Sequence, residues 1–125
     1  MPEKEVIIIG GGAAGLAAAV ACQQKGIEDI LIIERGNYLG GILNQCIHDG
    51  FGLEKFRTSL TGPEYAQRYI DQVMDKKIPF LLNSMVLNLT PQKEGMVVSR
   101  NSPVCAYLPT AWACAVWVLT TRRWR

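Results

Sequence analysis

The stretch Glu5-Val-Ile-Ile-Ile-Gly10-Gly-Gly-Ala-Ala-Gly15-Leu-Ala-Ala-Ala-Val-Ala-Cys-Gln-Gln-Lys25-Gly-Ile-Glu-Asp-Ile30-Leu-Ile-Ile-Glu34 decides the fold. Val6 to Ile9 is a β-branched run and reads as a strand buried on both faces. It runs directly into glycines at 10, 12 and 15, the G-x-G-x-x-G spacing. A helix of small apolar residues follows, about Ala13 to Lys25, with Gly26 as its C-terminal glycine. A second buried strand, Ile30 to Ile33, ends on Glu34. That order is a strand–helix–strand unit with the dinucleotide fingerprint in its first turn. Gly10 permits the tight turn, Gly12 lets a pyrophosphate approach the backbone, and Gly15 with Ala19 lets the helix lie close to the sheet. The helix's first amides, from Ala13 and Ala14 onward, have no intrahelical partner and offer an anion site. Glu34 can accept hydrogen bonds from ribose hydroxyls and would repel a 2′-phosphate, although Arg35 beside it weakens that discrimination. A glycine-rich turn that binds nothing is the bland alternative, and the strand–turn–helix–strand–Glu34 context disfavours it.

Composition bounds the remaining classes. The chain is 49% hydrophobic and 19% charged with net charge +2, as in a globular protein. Residues 1 to 99 carry nine Lys/Arg against eleven Asp/Glu, so no nucleic-acid groove is expected. The N-terminus lacks a signal-peptide pattern. The four cysteines (22, 46, 105, 114) have no C-x-x-C or metal-ligand spacing, so no metal is expected, and a reduced, cytoplasmic protein is the default. Cys22 reads as a small core residue of the first helix.

Residues 35 to 60 read as mostly loop, with five glycines marking close backbone approach or positive φ. A loop this long in a compact domain is usually functional. Thr61 and Glu64 form a capping-box pair with Pro63 in the first turn, which predicts a helix over 62–76. Its stripe of Tyr65, Tyr69, Ile70, Val73 and Met74 reads as core. Strands are expected at Phe80–Leu82, Met85–Leu89 and Met96–Ser99. The fold class is α/β: a Rossmann-like parallel sheet with covering helices.

With those residues placed, the chain resembles the N-terminal part of FAD-dependent pyridine-nucleotide oxidoreductases, the two-dinucleotide-domain flavoproteins related to thioredoxin reductase and anaerobic glycerol-3-phosphate dehydrogenase. The resemblance covers roughly residues 5 to 99 and rests on Val6–Ala19, Ile32-Ile-Glu34 and Leu39-Gly40-Gly41. The second glycine pair favours FAD over NAD, because in the family that loop folds over the FAD diphosphate. The resemblance thus assigns Gly10, Gly12, Ala13, Ala14 and Gly15 to the pyrophosphate and Glu34, flanked by Arg35, to the ribose. It assigns Gly40 and Gly41 to the second loop and Val86 to the strand that passes the adenine. The family's first-domain C-x-x-x-x-C pair is absent: Leu43 and His48 stand at those positions, and Cys46 lies between them. Cys46 reads either as a flavin-side nucleophile activated by His48 or as a packed thiol. His48 reads either as a proton donor or as a loop histidine.

The resemblance implies FAD, with NAD(P)H as co-substrate of a complete enzyme, and an assembly as homo-oligomer or with sister subunits. The rival readings are a non-catalytic remnant and an NAD-binding dehydrogenase domain. Residues 101–125 break the pattern: acids are absent after Glu94, and Trp112, Trp117 and Trp124 fall in the last fourteen residues. The expected organisation is an incomplete FAD/NAD(P)-binding domain at 1–100 and a non-homologous, frameshift-derived tail at 101–125. Val104 to Leu119, broken by Pro109, is shorter than the about 20 residues of a spanning helix, and no strand period persists. Removal of 101–125 is therefore expected to leave folding and cofactor binding unchanged.

Overall fold

A computed structural model describes residues 4–92, 95–101 and 117–120. Strand β1 (Val6–Ile9) leads through the glycine turn into helix α1 (Ala13–Gln24), which crosses over to β2 (Ile30–Ile33). A short 3-10 stretch (Gly41–Gln45) and one helical turn, α2 (Leu53–Phe56), break the long loop. Helix α3 (Gly62–Asp75) and strand β3 (Phe80–Leu81) follow, then the strands β4 (Met85–Gln92) and β5 (Gly95–Asn101), and β6 (Trp117–Thr120).

The main sheet has the order β3-β2-β1-β6. β1, β2 and β3 are parallel, with Val6 opposite Ile30 and Ile32 opposite Phe80. This is the expected Rossmann-like arrangement, and parallel neighbours require the crossover helix between them. β4 and β5 form a separate antiparallel pair, irregular between Val86 and Asn88.

The core lies on one face of the sheet. Val6, Ile8, Ile30 and Ile32 meet Leu16, Ala19 and Val20 of α1 and Tyr69 and Val73 of α3. Complete burial of Ala19 lets α1 and α3 approach closely. The expectation of burial on both faces holds only in part: on the second face Ile33 is buried but Ile7, Ile9 and Leu31 are half-buried, and α1 leaves Ala14 and Ala21 exposed. An unbroken β-branched run specifies a strand but not how many layers cover it.

Helix α1 ends as expected, with Gly26 at φ 87° and Ile27 N–H donating to the Cys22 carbonyl. Burial pushes the Cys22 thiol pKa up. Helix α3 begins as expected, with Thr61 and Glu64 capping each other. Its buried face is Gly62, Ala66, Tyr69 and Val73. Met74, expected in the core, is instead 57% exposed, because it lies at the margin of a stripe wider than the contact. Lys77 closes the helix in a left-handed conformation, φ 54°, where glycine is usual.

Most of 101–125, including Cys105, Cys114, Trp112 and Trp124, lies outside the described residues. Within it, Trp117–Thr120 pairs antiparallel with all of β1, from Ile9 opposite Trp117 to Val6 opposite Thr120. No period is legible there in the sequence, since four residues are too short to establish one.

Candidate functional site

The site begins at the C-terminal end of β1, where open α/β sheets place their ligands. Gly10 leaves the strand with φ 107°, a left-handed conformation that side chains resist. Its N–H still donates to the Ile33 carbonyl at 2.8 Å, so the turn starts in register with β2. A Cβ on Gly15 would collide with the Gly10 carbonyl oxygen. Glycine at 15 is therefore what lets α1 start against the turn. Gly12 differs: a Cβ there meets nothing within 4 Å. The space above Gly12 is open, as a cradle for a ligand must be.

Helix α1 has Gly12 as its N-cap and no side-chain cap. The amides of Ala13, Ala14 and Gly15 precede the first intrahelical bond, Leu16 N–H to the Gly12 carbonyl at 3.0 Å. They lie at the positive end of the helix dipole with no acidic residue in the first turn. Helix α3 is the internal contrast. There the Thr61 N–H and hydroxyl both donate to Glu64 Oε2, at 2.8 and 2.9 Å, and its start is closed by its own side chains.

Glu34, at the end of β2, sits beside the same turn. Its Oε2 accepts the Gly11 N–H at 2.7 Å, and its Oε1 accepts the Gly36 N–H at 2.7 Å. An ionised carboxylate has about four acceptor positions. Two are used, one on each oxygen, which leaves each oxygen an open acceptor position. Behind it, Glu34 N–H donates to the Leu81 carbonyl, and Ser84 N–H donates to the Glu34 carbonyl at 3.0 Å. Val86, half-buried on β4, stands two residues beyond that anchor. Arg35 is exposed.

The second glycine pair meets the first. Gly40 N–H donates to the Gly11 carbonyl at 2.8 Å, and Gly12 and Gly40 form a parallel bridge. Gly40 has φ 106° and Gly41 φ 56°. A Cβ on Gly41 would lie 3.2 Å from Gly12 Cα, so the two turns touch backbone to backbone. α3 lies behind the pair, with Ala66 Cβ 3.1 Å from where a Cβ on Gly40 would stand, and its Gly62 N–H holds the loop farther on through the Cys46 carbonyl at 2.8 Å.

The two catalytic candidates lie farther along this loop. Cys46 is half-buried, with Sγ 3.5 Å from the Ile42 carbonyl. His48 is exposed, stacks on Phe51 with ring centroids 5.1 Å apart, and has Nδ1 3.2 Å from the Asp49 carbonyl. No hydrogen bond joins Cys46 to His48 among the described residues. The structure thus brings together Gly10, Gly12, Ala13, Ala14, Gly15, Glu34, Gly40 and Gly41, and leaves Cys46 and His48 apart from one another. Sequence reasoning misses Gly11 and Gly36, whose N–H groups hold Glu34, and Asn44, whose side-chain amide bonds the carbonyls on either side of Gly40. Gly11 and Gly36 act through backbone N–H groups, which leave no residue-type signal. Among the described residues, no group of three metal-ligating side chains forms, and no helix is long and apolar enough to cross a membrane.

Comparison with known proteins agrees with this geometry. Residues 8–75, just over half of the chain, match the NAD(P)-binding Rossmann-like domain family, and the chain belongs to it. It is 31% identical over 96 residues to the 4,4'-diaponeurosporene oxygenase of Staphylococcus haemolyticus, covering 70% of this chain and 19% of that protein. Its fold is similar to Lactococcus lactis thioredoxin reductase, with TM-score 0.68 and 17% identity over 94% of this chain and 33% of the other. It is also similar to OTEMO solved with FAD and NADP, with TM-score 0.59 and 17% identity over 82% of this chain and 23% of the other. The chain therefore spans less than a fifth of that curated relative and a third or less of those solved chains. The fold expected from the resemblance to thioredoxin reductases is borne out.

Proposed function

We propose that this chain is the FAD-binding part of a flavin-dependent oxidoreductase. The observation that carries the reading is the contact between two glycine turns over an uncapped helix start, with Glu34 alongside. A single turn suffices for an ADP moiety. The second turn, bonded to the first through Gly40 N–H, adds a backbone wall beside Gly12, where the family resemblance puts the rest of the FAD diphosphate.

In this reading the amides of Ala13, Ala14 and Gly15 hold the pyrophosphate, and the open face of Gly12 admits it. Glu34 takes the ribose hydroxyls on its two unused acceptor positions. Arg35 is exposed beside it and sets how strictly a 2′-phosphate is refused. Gly40 and Gly41 flank the diphosphate, and Val86 backs the adenine. The chemistry that FAD supplies when bound is hydride exchange with NAD(P)H or an organic donor; the chain's own residues bind and orient it. OTEMO, whose fold this chain shares in part, is a complex with FAD and NADP, which supports a flavin here.

The test is titration of the full chain with FAD and with NAD, followed by flavin absorbance and fluorescence quenching. FAD binding that Gly12→Val abolishes, with the secondary structure retained, supports the reading. Binding of NAD without FAD would transfer the site to the dehydrogenase class, and binding of neither would leave a non-catalytic remnant.

A further inference from the structure

We propose that Asn44 is the positioning residue that sets the spacing of the two glycine turns, an inference that rests on the dinucleotide reading of this site. Asn44 lies in the 3-10 stretch just after Gly41 and is half-buried. Its Nδ2 donates to the Leu39 carbonyl at 2.9 Å and reaches the Gly41 carbonyl at 3.4 Å. Both partners are acceptors only, so the amide nitrogen must face them. The two carbonyls bracket Gly40, the residue with φ 106°.

The geometry of the peptide then links Asn44 to the first turn. A trans peptide points its C=O and N–H in opposite directions. Drawing the Leu39 carbonyl toward Asn44 aims the Gly40 N–H away from it. That N–H is the one that donates to the Gly11 carbonyl at 2.8 Å. Gly11 N–H donates to Glu34 Oε2 at 2.7 Å. Asn44 thus acts through the Leu39–Gly40 peptide on the Gly11 carbonyl of the first turn, while Glu34 is held separately by the N–H of the preceding peptide. The two bonds on the Leu39–Gly40 peptide, to its carbonyl and from its N–H, polarise and strengthen one another.

Packing points the same way. A Cβ on Gly40 would stand 2.6 Å from Asn44 Nδ2 and 3.1 Å from Ala66 Cβ. Asn44 and α3 together fill the space behind Gly40, so the turn cannot retreat from Gly12. Asn44 acts through Gly40 and Gly11 rather than on the ligand.

The experiment compares the full chain with Asn44→Asp and Asn44→Leu. Asp is isosteric but presents no donor to the two carbonyls; Leu keeps the bulk without polarity. FAD and AMP are the two probes, because AMP has no second phosphate for the second turn to flank. FAD affinity should weaken about tenfold or more in both variants, as expected when a partly buried acceptor loses its donor. AMP affinity should stay within about threefold. In the ligand-free chain, the Gly40 amide should exchange with solvent faster in both variants. Unchanged FAD affinity would overturn the proposal, as would equal weakening of FAD and AMP, which marks a general loss of fold. Unchanged Gly40 exchange overturns it whatever the cofactor. A parent chain that binds neither probe defeats the functional reading instead, and Gly40 exchange still decides whether Asn44 sets the turn.

Discussion

The same one-methyl change at two glycines three residues apart should have opposite consequences. At Gly15 the new Cβ meets the Gly10 carbonyl oxygen, with the Gly10 carbonyl carbon at 3.0 Å and Ile8 Cγ2 at 3.3 Å. The obstacle is backbone, so relief requires α1 to move off the sheet. Overpacking costs about 1–3 kcal/mol, and a backbone obstacle belongs at the upper end. Alanine's helix propensity over glycine offsets about 1 kcal/mol of this. Gly15→Ala should therefore destabilise by about 2 kcal/mol, or about 8 °C in Tm for a chain of this size. At Gly12 the new Cβ meets nothing, and φ −77° with ψ −173° suits alanine. The entropic gain of losing a glycine and the N-cap preference for keeping one oppose each other, so Gly12→Ala should stay within about 0.5 kcal/mol of the parent. Its methyl occupies the ligand's space, and FAD affinity should fall about tenfold or more. Thermal unfolding by circular dichroism and FAD titration read the two effects separately. A Gly12→Ala chain that unfolds as early as Gly15→Ala, or that keeps the parent's FAD affinity, refutes the division of labour between these glycines.

Three further outcomes are expected. Lys77→Gly should raise stability by about 0.5–1 kcal/mol in denaturant titration, because glycine removes the left-handed strain at φ 54° and loses only part of that gain to chain entropy. Glu64 has its carboxyl pKa lowered by the Thr61 backbone N–H first and the Thr61 hydroxyl second. Its stabilising contribution is present above the unfolded value of about 4.3 and is lost as pH falls through the lower folded value, so Glu64→Gln should flatten the acid limb of Tm against pH. Native thiol titration should give one count before and after mild reductant, since Leu43 and His48 stand where the family's disulfide pair would be; a gain of two thiols that includes Cys46 would refute this.

What the sequence discloses is the chemistry that is local to the backbone. The fingerprint glycines, the Thr61–Glu64 cap and the Gly26 terminator each act within a few residues of themselves, so residue type and spacing suffice to find them. Asn44 is invisible in the sequence because its role exists only once Gly40 lies against Gly11, and those residues are far apart along the chain. Met74 misleads because a helical stripe says which residues share a face, not where the contact ends. The half-buried Ile7 and Ile9 mislead similarly: β-branching reports a strand, while the number of covering layers depends on elements elsewhere.

Strand β6 bears on stability directly. Prolines and the lack of a period argue against any paired element in 101–125, and on the sequence alone its removal should change nothing. The structure instead pairs Trp117–Thr120 with every residue of β1, the strand that delivers Gly10 to the site. A Rossmann sheet usually seats a parallel strand beside its first strand; here an antiparallel one takes that edge. Without it, the backbone groups of β1 on that side face solvent or a foreign strand. Each ladder hydrogen bond contributes about 1 kcal/mol net, so losing the ladder should cost a few kcal/mol, a large part of the about 5–15 kcal/mol that a domain has in total. Deletion of 101–125 should lower Tm, promote aggregation and weaken FAD binding in step. A truncated chain as stable and as soluble as the parent would show that β1 does not depend on this strand and would restore the reading of the tail as dispensable.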